Sequence, residues 1–221
     1  MGDAARGIFV TGTGTEVGKT VVAAAIARTL SAGGARVAVF KPCVTGLEQG
    51  GEADHELLRR AAGSAQSDAE IAPYRYEPPV SPHLGATLAG EEIDPVRLRE
   101  VAQAAADGAD AIVCEGVGGL LVPLAGDYLV RDLAAELGYP LAIAAAPGLG
   151  TINHTLGTIE AARAARLEIA AVVLTPWPQQ PSEVERSNRE TIAALGGVEV
   201  LTLPWIDLAA AETWPELRLT R

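Results

Sequence analysis

Short runs of apolar residues alternate with longer amphipathic segments along the whole chain. Because an apolar run without polar alternation is typical of a strand buried on both faces, we expect strands at residues 7–12, 36–42, 109–116, 140–148, 169–175 and 198–204. Helices are expected between them, at residues 18–34, 53–62, 94–106, 128–138, 151–166 and 182–195. The Pro-rich stretch 74–86 is interpreted as an ordered loop, since aromatic residues flank it.

This alternation predicts an α/β fold. Parallel strands need long crossover connections, and each helical crossover covers one face of the sheet. We therefore expect a mostly parallel sheet with helices on both faces. The length of 221 residues fits one domain, 1–221, because no internal repeat or low-complexity linker divides the chain.

Composition narrows the possible partners. Seventeen basic residues stand against 28 acidic ones, which gives a formal net charge of −11. This charge repels nucleic acid and anionic membranes, so neither is an expected partner, and any anionic ligand must be held by a local cluster. Residues 1–7 lack the basic and apolar segments of a secretion signal, and we expect a cytoplasmic protein in which Cys43 and Cys114 are reduced thiols.

The stretch "FVTGTGTEVGKT", residues 9–20, predicts a phosphate-binding loop. A strand that ends in a Gly-rich turn and opens into a helix directs several backbone N–H groups at one point. Lys19 is expected to reach the outer phosphates, and the Thr20 hydroxyl to bind Mg²⁺. Five residues separate Gly12 from Gly18, one more than in the common motif, and a structural turn is the alternative reading.

Two carboxylates are candidates for the other metal ligands. Glu115 follows an apolar strand directly, and Asp54 follows the second expected strand. Mg²⁺ prefers hard oxygen ligands, and ligands of parallel sheets bind at the carboxyl ends of the strands. Thr20, Asp54 and Glu115 are therefore the expected metal site, although Asp54 could instead be a solvated helix cap.

Lysine is rare in this chain. Fifteen basic residues are Arg, and the two lysines are Lys19 and Lys41. Lys41 ends the second expected strand, so both lysines are expected at the ligand-binding edge of the sheet, where a compact ammonium differs from a guanidinium. A structural ion pair is the alternative for Lys41. The three histidines lack the spacing of a metal pair, and no catalytic Ser/His/Asp arrangement is recognised.

Six segments of the chain together resemble a known family. They are "FVTGTGTEVGKTV" (9–21), "FKPCVTG" (40–46), Asp54, "CEGVGGLLVPL" (114–124), "GLGTINHT" (148–155) and "LPW" (203–205). In order and spacing they resemble the dethiobiotin synthetases of biotin biosynthesis. The resemblance implies a P-loop NTPase-like fold, a homodimer, and a ligase that uses ATP, Mg²⁺ and CO₂ to close the ureido ring of dethiobiotin on 7,8-diaminononanoate, through a carbamate and a carbamic-phosphoric anhydride.

The resemblance also implies roles for individual residues. Lys19 and Lys41 would be catalytic, flanking the carbamate and the γ-phosphate. The implied nucleotide-binding residues are Glu16, Val17, Gly18, Lys19, Thr20, Val21, Asp54, Glu115, Gly116, Val117, Gly118, Pro204 and Trp205. The implied substrate-binding residues are Thr15, Lys41, Thr45, Gly118 and Asn153 of the partner subunit.

One departure from the family leaves nucleobase selectivity open. Many relatives carry Asn at the end of the strand where this chain has Thr175 followed by Pro176. A hydroxyl cannot make the paired donor and acceptor contacts by which an amide reads adenine. We therefore hypothesise loose discrimination among nucleoside triphosphates.

Two other functions are alternatives. A P-loop nucleotide switch of the plasmid-partitioning type usually has an additional Lys early in the loop, and many such proteins bind DNA or membrane through basic or amphipathic surfaces, whereas here the early loop "GTGTE" has no Lys and the chain is acidic. An amidotransferase synthetase of cobalamin synthesis would need many more residues for its glutamine-hydrolysing domain.

Overall fold

A six-stranded sheet lies at the centre of the computed structural model, which describes residues 6–219. The first five residues, on which the expectation about a secretion signal partly rests, lie outside the described range. The strands are β1 Arg6–Gly12, β2 Val37–Phe40, β3 Cys43–Thr45, β4 Tyr74–Tyr76, β5 Ala111–Gly119, β6 Pro123–Ala125, β7 Tyr128–Leu129, β8 Leu141–Ala145, β9 Ile169–Trp177 and β10 Val200–Pro204. The helices are α1 Lys19–Ala32, α2 Asp54–Ala62, α3 Asp68–Ile71, α4 Pro82–Ala89, α5 Pro95–Ala106, α6 Val130–Leu137, α7 Thr151–Ala164 and α8 Glu183–Gly196.

The order of strands in the central sheet is β10-β9-β8-β1-β5-β2, and all neighbours are parallel. β1 therefore lies inside the sheet, with Val10 opposite Glu115 of β5 on one side and Ala142 of β8 on the other. This register brings the loop after β1 beside the carboxyl end of β5. A parallel pair, β3 and β4, and an antiparallel pair, β6 and β7, lie outside the central sheet.

Helices cover both faces of the sheet, which confirms the predicted layers. Phe9 and Val10 are both fully buried but belong to different hydrophobic clusters, because successive side chains of a strand point to opposite faces. Phe9 packs in the cluster that includes Leu98 of α5 and Ile159 of α7, and Val10 in the cluster that includes Val22 of α1. Burying a side chain as large as Phe9 contributes about 1.5–3 kcal/mol.

The outer edge of β2 is hydrogen-bonded by a side chain and by backbone from outside the sheet, and not by another strand. The Val39 N–H donates to Gln66 Oε1 at 2.9 Å, and Gln66 Nε2 donates to the Val39 carbonyl at 3.0 Å. Two residues further, the Lys41 N–H donates to the Ile71 carbonyl at 2.8 Å. These bonds satisfy backbone groups that an edge strand would otherwise expose, and they fix the chain where it enters Lys41.

The prediction of an ordered loop at residues 74–86 is wrong. This stretch contains β4 and most of α4. Tyr74 and Tyr76 are buried and flank an exposed Arg75, which is the alternation of a half-buried strand. Pro82 occupies the first turn of α4 after Ser81 at its N-cap, a position that tolerates proline because that N–H has no partner within the helix.

None of the helices within residues 6–219 combines the length and the apolar character that a membrane crossing needs.

Candidate functional site

A cavity of about 790 Å³ opens at the carboxyl end of the central sheet. Its wall combines the loop after β1, the start of α1, the residues after β2, the start of α2 and the end of β5. Twelve of the predicted site residues line it: Thr15, Glu16, Gly18, Lys19, Thr20, Val21, Lys41, Thr45, Asp54, Glu115, Val117 and Gly118. The strand order brings together positions almost a hundred residues apart in the sequence.

The loop between β1 and α1 has the backbone of an anion-binding turn. Gly18 precedes α1 in the left-handed region, at φ 84°, and a Cβ there would lie 2.6 Å from Thr175 Cγ2. Only glycine fits both conditions. Glu16 also has a positive φ, 58°, and such non-glycine conformations cluster at ligand-binding sites. Within the described residues no side chain caps α1, so its N-terminal N–H groups and helix dipole are available to an anion.

Lys19 lies folded over this loop. Its side chain is buried, and Nζ donates to the Gly14 carbonyl at 2.8 Å. Burial lowers the pKa of the Lys19 ammonium, and the nearby positive charge of Lys41 adds to this, while Glu115 and Asp54 oppose it. A charged lysine whose acceptor is only a neutral carbonyl is placed to exchange that acceptor for a phosphate oxygen.

Lys41 lies between two carboxylates. Its Nζ is 2.6 Å from Glu115 Oε1 and 2.7 Å from Asp54 Oδ2. The Thr20 hydroxyl is 2.8 Å from the same Glu115 Oε1 and 3.1 Å from Asp54 Oδ1. Four side chains from α1, α2, β5 and the chain after β2 thus form one hydrogen-bonded cluster, which we call the Lys41 cluster.

Charge coupling within the Lys41 cluster shifts its pKa values. Burial alone would lower the pKa of the Lys41 ammonium, but Glu115 and Asp54 outweigh burial and hold it above its ordinary value. Burial would raise the pKa of the Asp54 carboxyl, but Lys41 and Thr20 keep it below its ordinary value. Burial raises the pKa of the Glu115 carboxyl, against the opposing effect of Lys41. Lys41 is therefore a permanent cation at neutral pH.

The oxygen atoms of this cluster fit a magnesium ion that also contacts phosphate. Glu115 Oε2 is buried and has no hydrogen-bond partner among the described residues, so one carboxylate oxygen is still available. Across residues 6–219 no group of three or more His, Cys, Asp or Glu side chains could hold a metal by itself. Mg²⁺ is usually held by one or two carboxylates together with substrate phosphates, and Thr20, Asp54 and Glu115 match that pattern.

Comparisons with known proteins identify the family. A family model described as an AAA domain matches residues 6–213. The ATP-dependent dethiobiotin synthetase of Rhodococcus erythropolis is 42% identical over 199 residues, covering 88% of this chain and 86% of the relative. The chain belongs to the dethiobiotin synthetase family. Synthetases from Anaeromyxobacter dehalogenans, 42% identical with 90% of each chain covered, and from Bacillus subtilis, 35% identical with 89% of this chain and 85% of the relative covered, agree with this result.

A solved structure supports the fold of this dethiobiotin synthetase family member. A ParA family ATPase from Chlorobium tepidum superimposes with a TM-score of 0.58, covering 95% of this chain and 88% of its own, at 14% sequence identity. At that identity the likeness concerns the fold alone. The predicted P-loop NTPase-like class, with a mostly parallel sheet, is confirmed.

The sequence left two alternatives open, a helix-capping role for Asp54 and a structural ion pair for Lys41. Asp54 is the first residue of α2, one position after the N-cap residue Ala53, and its carboxylate contacts Lys41 and Thr20. It is therefore part of the Lys41 cluster. The ion pair suggested for Lys41 is present, and its partners are the carboxylates predicted to bind metal.

Five residues that the family resemblance implied do not line the cavity. Gly116 is buried in β5, where a Cβ would lie 2.9 Å from Val130 Cγ1 and 3.1 Å from Phe9 Cε1, so close packing favours glycine at this position. Val17 packs against the cluster on the α1 face. The other three residues are exposed. Asn153 lies in α7, Pro204 ends β10, and Trp205, directly after β10, is 75% exposed.

The cavity has a second wall that sequence reasoning missed. Pro79, Val80 and Ser81, between β4 and α4, and Pro82, the first residue of α4, also line it. Cys43, Gln49 and Val122 complete the lining. The available signal was the pair of tyrosines ahead of the prolines, which marks an ordered segment but not its position in space.

Proposed function

We propose that this chain is an ATP-dependent dethiobiotin synthetase, a ligase of biotin biosynthesis. It would convert 7,8-diaminononanoate, CO₂ and ATP to dethiobiotin, ADP and phosphate. The observation that carries the proposal is the convergence, in one cavity beside a phosphate-binding loop, of two buried lysines with Thr20, Asp54 and Glu115. The family relationship supplies the reaction.

The reaction suits such a cavity. One amine of the substrate adds to CO₂ and loses a proton, which gives a carbamate. A carbamate oxygen attacks the γ-phosphorus and ADP leaves, which gives a carbamic-phosphoric anhydride. The second amine attacks the carbonyl carbon, phosphate leaves, and the ureido ring closes. Because the second step brings two anions together, catalysis depends on positioning and charge neutralisation.

The backbone of residues 16–21 would wrap the phosphates of ATP, because these residues form the turn at the start of α1. Lys19 would exchange the Gly14 carbonyl for a phosphate oxygen. Lys41 would neutralise the carbamate and the transferred phosphoryl group. Thr20, Asp54 and Glu115 would hold Mg²⁺, which supplies further neutralisation of the phosphate charge when bound.

The remaining assignments complete the proposal. The hydroxyls of Thr15 and Thr45, both in the cavity wall, would contact the diamine or its carbamate. The substrate carboxylate would lie near Gly118 and, across the subunit interface, near Asn153 of the partner subunit, and Pro204 and Trp205 would contact the nucleotide. The enzyme would be a cytoplasmic homodimer of single-domain subunits that binds neither nucleic acid nor membrane.

The test is a single incubation with 7,8-diaminononanoate, bicarbonate, Mg²⁺ and ATP, followed by mass analysis. Dethiobiotin is expected, with one ADP and one phosphate formed for each ring closed. Omitting the diamine or the bicarbonate should abolish ADP formation. ATP hydrolysis that proceeds equally without the diamine, with no dethiobiotin, would overturn the proposal and favour a nucleotide switch of the partitioning type.

A further inference from the structure

The Lys41 ammonium occupies the carboxylates that the proposed function assigns to the metal. Glu115 Oε1 contacts both Lys41 Nζ and the Thr20 hydroxyl, and Asp54 uses one oxygen for each of the same two groups. Every side chain of the proposed metal site is therefore already engaged. Glu115 Oε2 is the one buried carboxylate oxygen of the cluster without a hydrogen-bond partner among the described residues.

A divalent cation and this ammonium compete for the same negative charges. Two carboxylates carry two charges, and Lys41 at 2.6 Å and 2.7 Å neutralises one of them. Two cations that share these carboxylates repel each other strongly, because burial weakens the screening by water. A metal ion bound to Asp54 and Glu115 would therefore displace the ammonium towards another part of the cavity, whose lining includes Thr15 and Thr45.

Lys19, the other buried lysine, has a different hydrogen-bond acceptor from Lys41. Its Nζ contacts the neutral Gly14 carbonyl and neither carboxylate within hydrogen-bonding distance. Neutralising Lys19 therefore changes the field at the carboxylates without freeing a carboxylate oxygen. Lys41 therefore contacts the carboxylates directly, whereas Lys19 affects them only through its charge. Comparing variants of the two lysines separates these two effects.

We propose that Lys41 is an internal counter-ion that occupies Asp54 and Glu115 in the nucleotide-free protein and so opposes metal binding to these carboxylates. Its movement from the carboxylates to the part of the same cavity that Thr15 and Thr45 line accompanies binding of the metal–nucleotide complex. The inference rests on the proposed function for the identity of the metal site. It adds that one side chain couples metal entry to arrival of the catalytic charge, so that the ammonium reaches the substrate region after the nucleotide has brought the metal.

The first test measures Mn²⁺ binding to the nucleotide-free protein by electron paramagnetic resonance. Lys41→Met should bind Mn²⁺ at least about tenfold more tightly than the wild type, because a contact competitor is removed, whereas Lys19→Met should gain less, through the field alone. An equal gain in the two variants, or no gain in Lys41→Met, would overturn the proposal.

A second test uses the wild-type chain and does not depend on the folding of Lys41→Met. Because the chain has two lysines, lysine labelled with ¹³C and ¹⁵N gives two side-chain signals, and Lys19→Met assigns them. Mg²⁺ with ADP should move the Lys41 signal, and ADP with a chelator should leave it in place. A Lys41 signal that is the same under both conditions would overturn the proposal.

The outcomes separate this inference from the proposed function. Dethiobiotin formation by the wild type together with an unmoved Lys41 signal would leave the function standing and remove the inference. A moved signal and a selective gain in Mn²⁺ affinity without dethiobiotin formation would do the reverse.

Discussion

Replacing Lys41 with Arg keeps the positive charge at the centre of the site and changes its shape. The lysine Nζ lies 2.6 Å from Glu115 Oε1 and 2.7 Å from Asp54 Oδ2 in a position that is 3% exposed. Arginine is longer and carries its charge on a planar fork with five donors. The fork can still pair with both carboxylates, but it cannot place a compact charge where the ammonium lies.

The expected magnitudes differ between stability and turnover. Removing one partner of a buried ion pair costs about 3–5 kcal/mol, but Arg retains the pair, so the remaining cost is overpacking, about 1–3 kcal/mol. A misplaced charge loses transition-state stabilisation comparable to the loss of one oxyanion donor, about 10²–10³-fold in kcat. We therefore expect a folded variant with much of its nucleotide affinity and little turnover.

The assay compares kcat for dethiobiotin formation, ATP affinity and the thermal unfolding midpoint in the wild type, in Lys41→Arg and in Arg36→Lys. Arg36 pairs with Asp110 on the exposed surface, away from the cavity, and serves as the control for exchange of the two basic residues. An unchanged kcat in Lys41→Arg would refute the argument that the shape of the charge matters. A loss of folding rather than of kcat would show that overpacking is the larger effect.

Three further predictions concern neighbouring parts of the site. Glu115→Gln should raise the Mg²⁺ concentration needed for half-maximal activity, because an anionic ligand is lost, and an unchanged Mg²⁺ titration would count against that role. Gly18→Ala should raise KM for ATP, because the added Cβ meets Thr175 Cγ2 at 2.6 Å and a positive φ is strained in alanine; ATP kinetics equal to those of the wild type would contradict this. The wild type should discriminate weakly among ATP, GTP and CTP, measured as kcat/KM, because Thr175 replaces an amide; a strong preference for ATP would refute that hypothesis.

Local patterns predicted much of the fold. The apolar runs and the Gly-rich turn located β1, α1 and the phosphate loop, because a strand buried on both faces and a loop–helix junction each have a short-range signature. The position of Lys41 at the end of a strand was enough to direct it to the ligand edge, since parallel strands end on the same side. The rest of the site depended on which strands are neighbours.

Strand order and side-chain packing depend on residues far apart in the sequence and could not be predicted from local patterns. No local signal says that β5 lies between β1 and β2, and therefore that Glu115 meets Lys41. The same holds for the contact of Thr175 with Gly18. In the stretch 74–86 the prolines obscured a strand whose alternation is only three residues long. That strand pairs with β3, a partner that the sequence of residues 74–86 does not reveal.

The Gln66 side chain on the outer edge of β2 limits how copies of this chain can associate. A continuous sheet through two molecules needs a free row of backbone donors and acceptors at its edge. On β2 the Val39 groups are already used within one chain, by a side chain that imitates a neighbouring strand. Joining two sheets along β2 would require Gln66 to leave first. Pairing of two subunits by a continuous sheet along β2 is therefore disfavoured, and the chain that leads from β2 into Lys41 keeps its backbone partners within its own molecule.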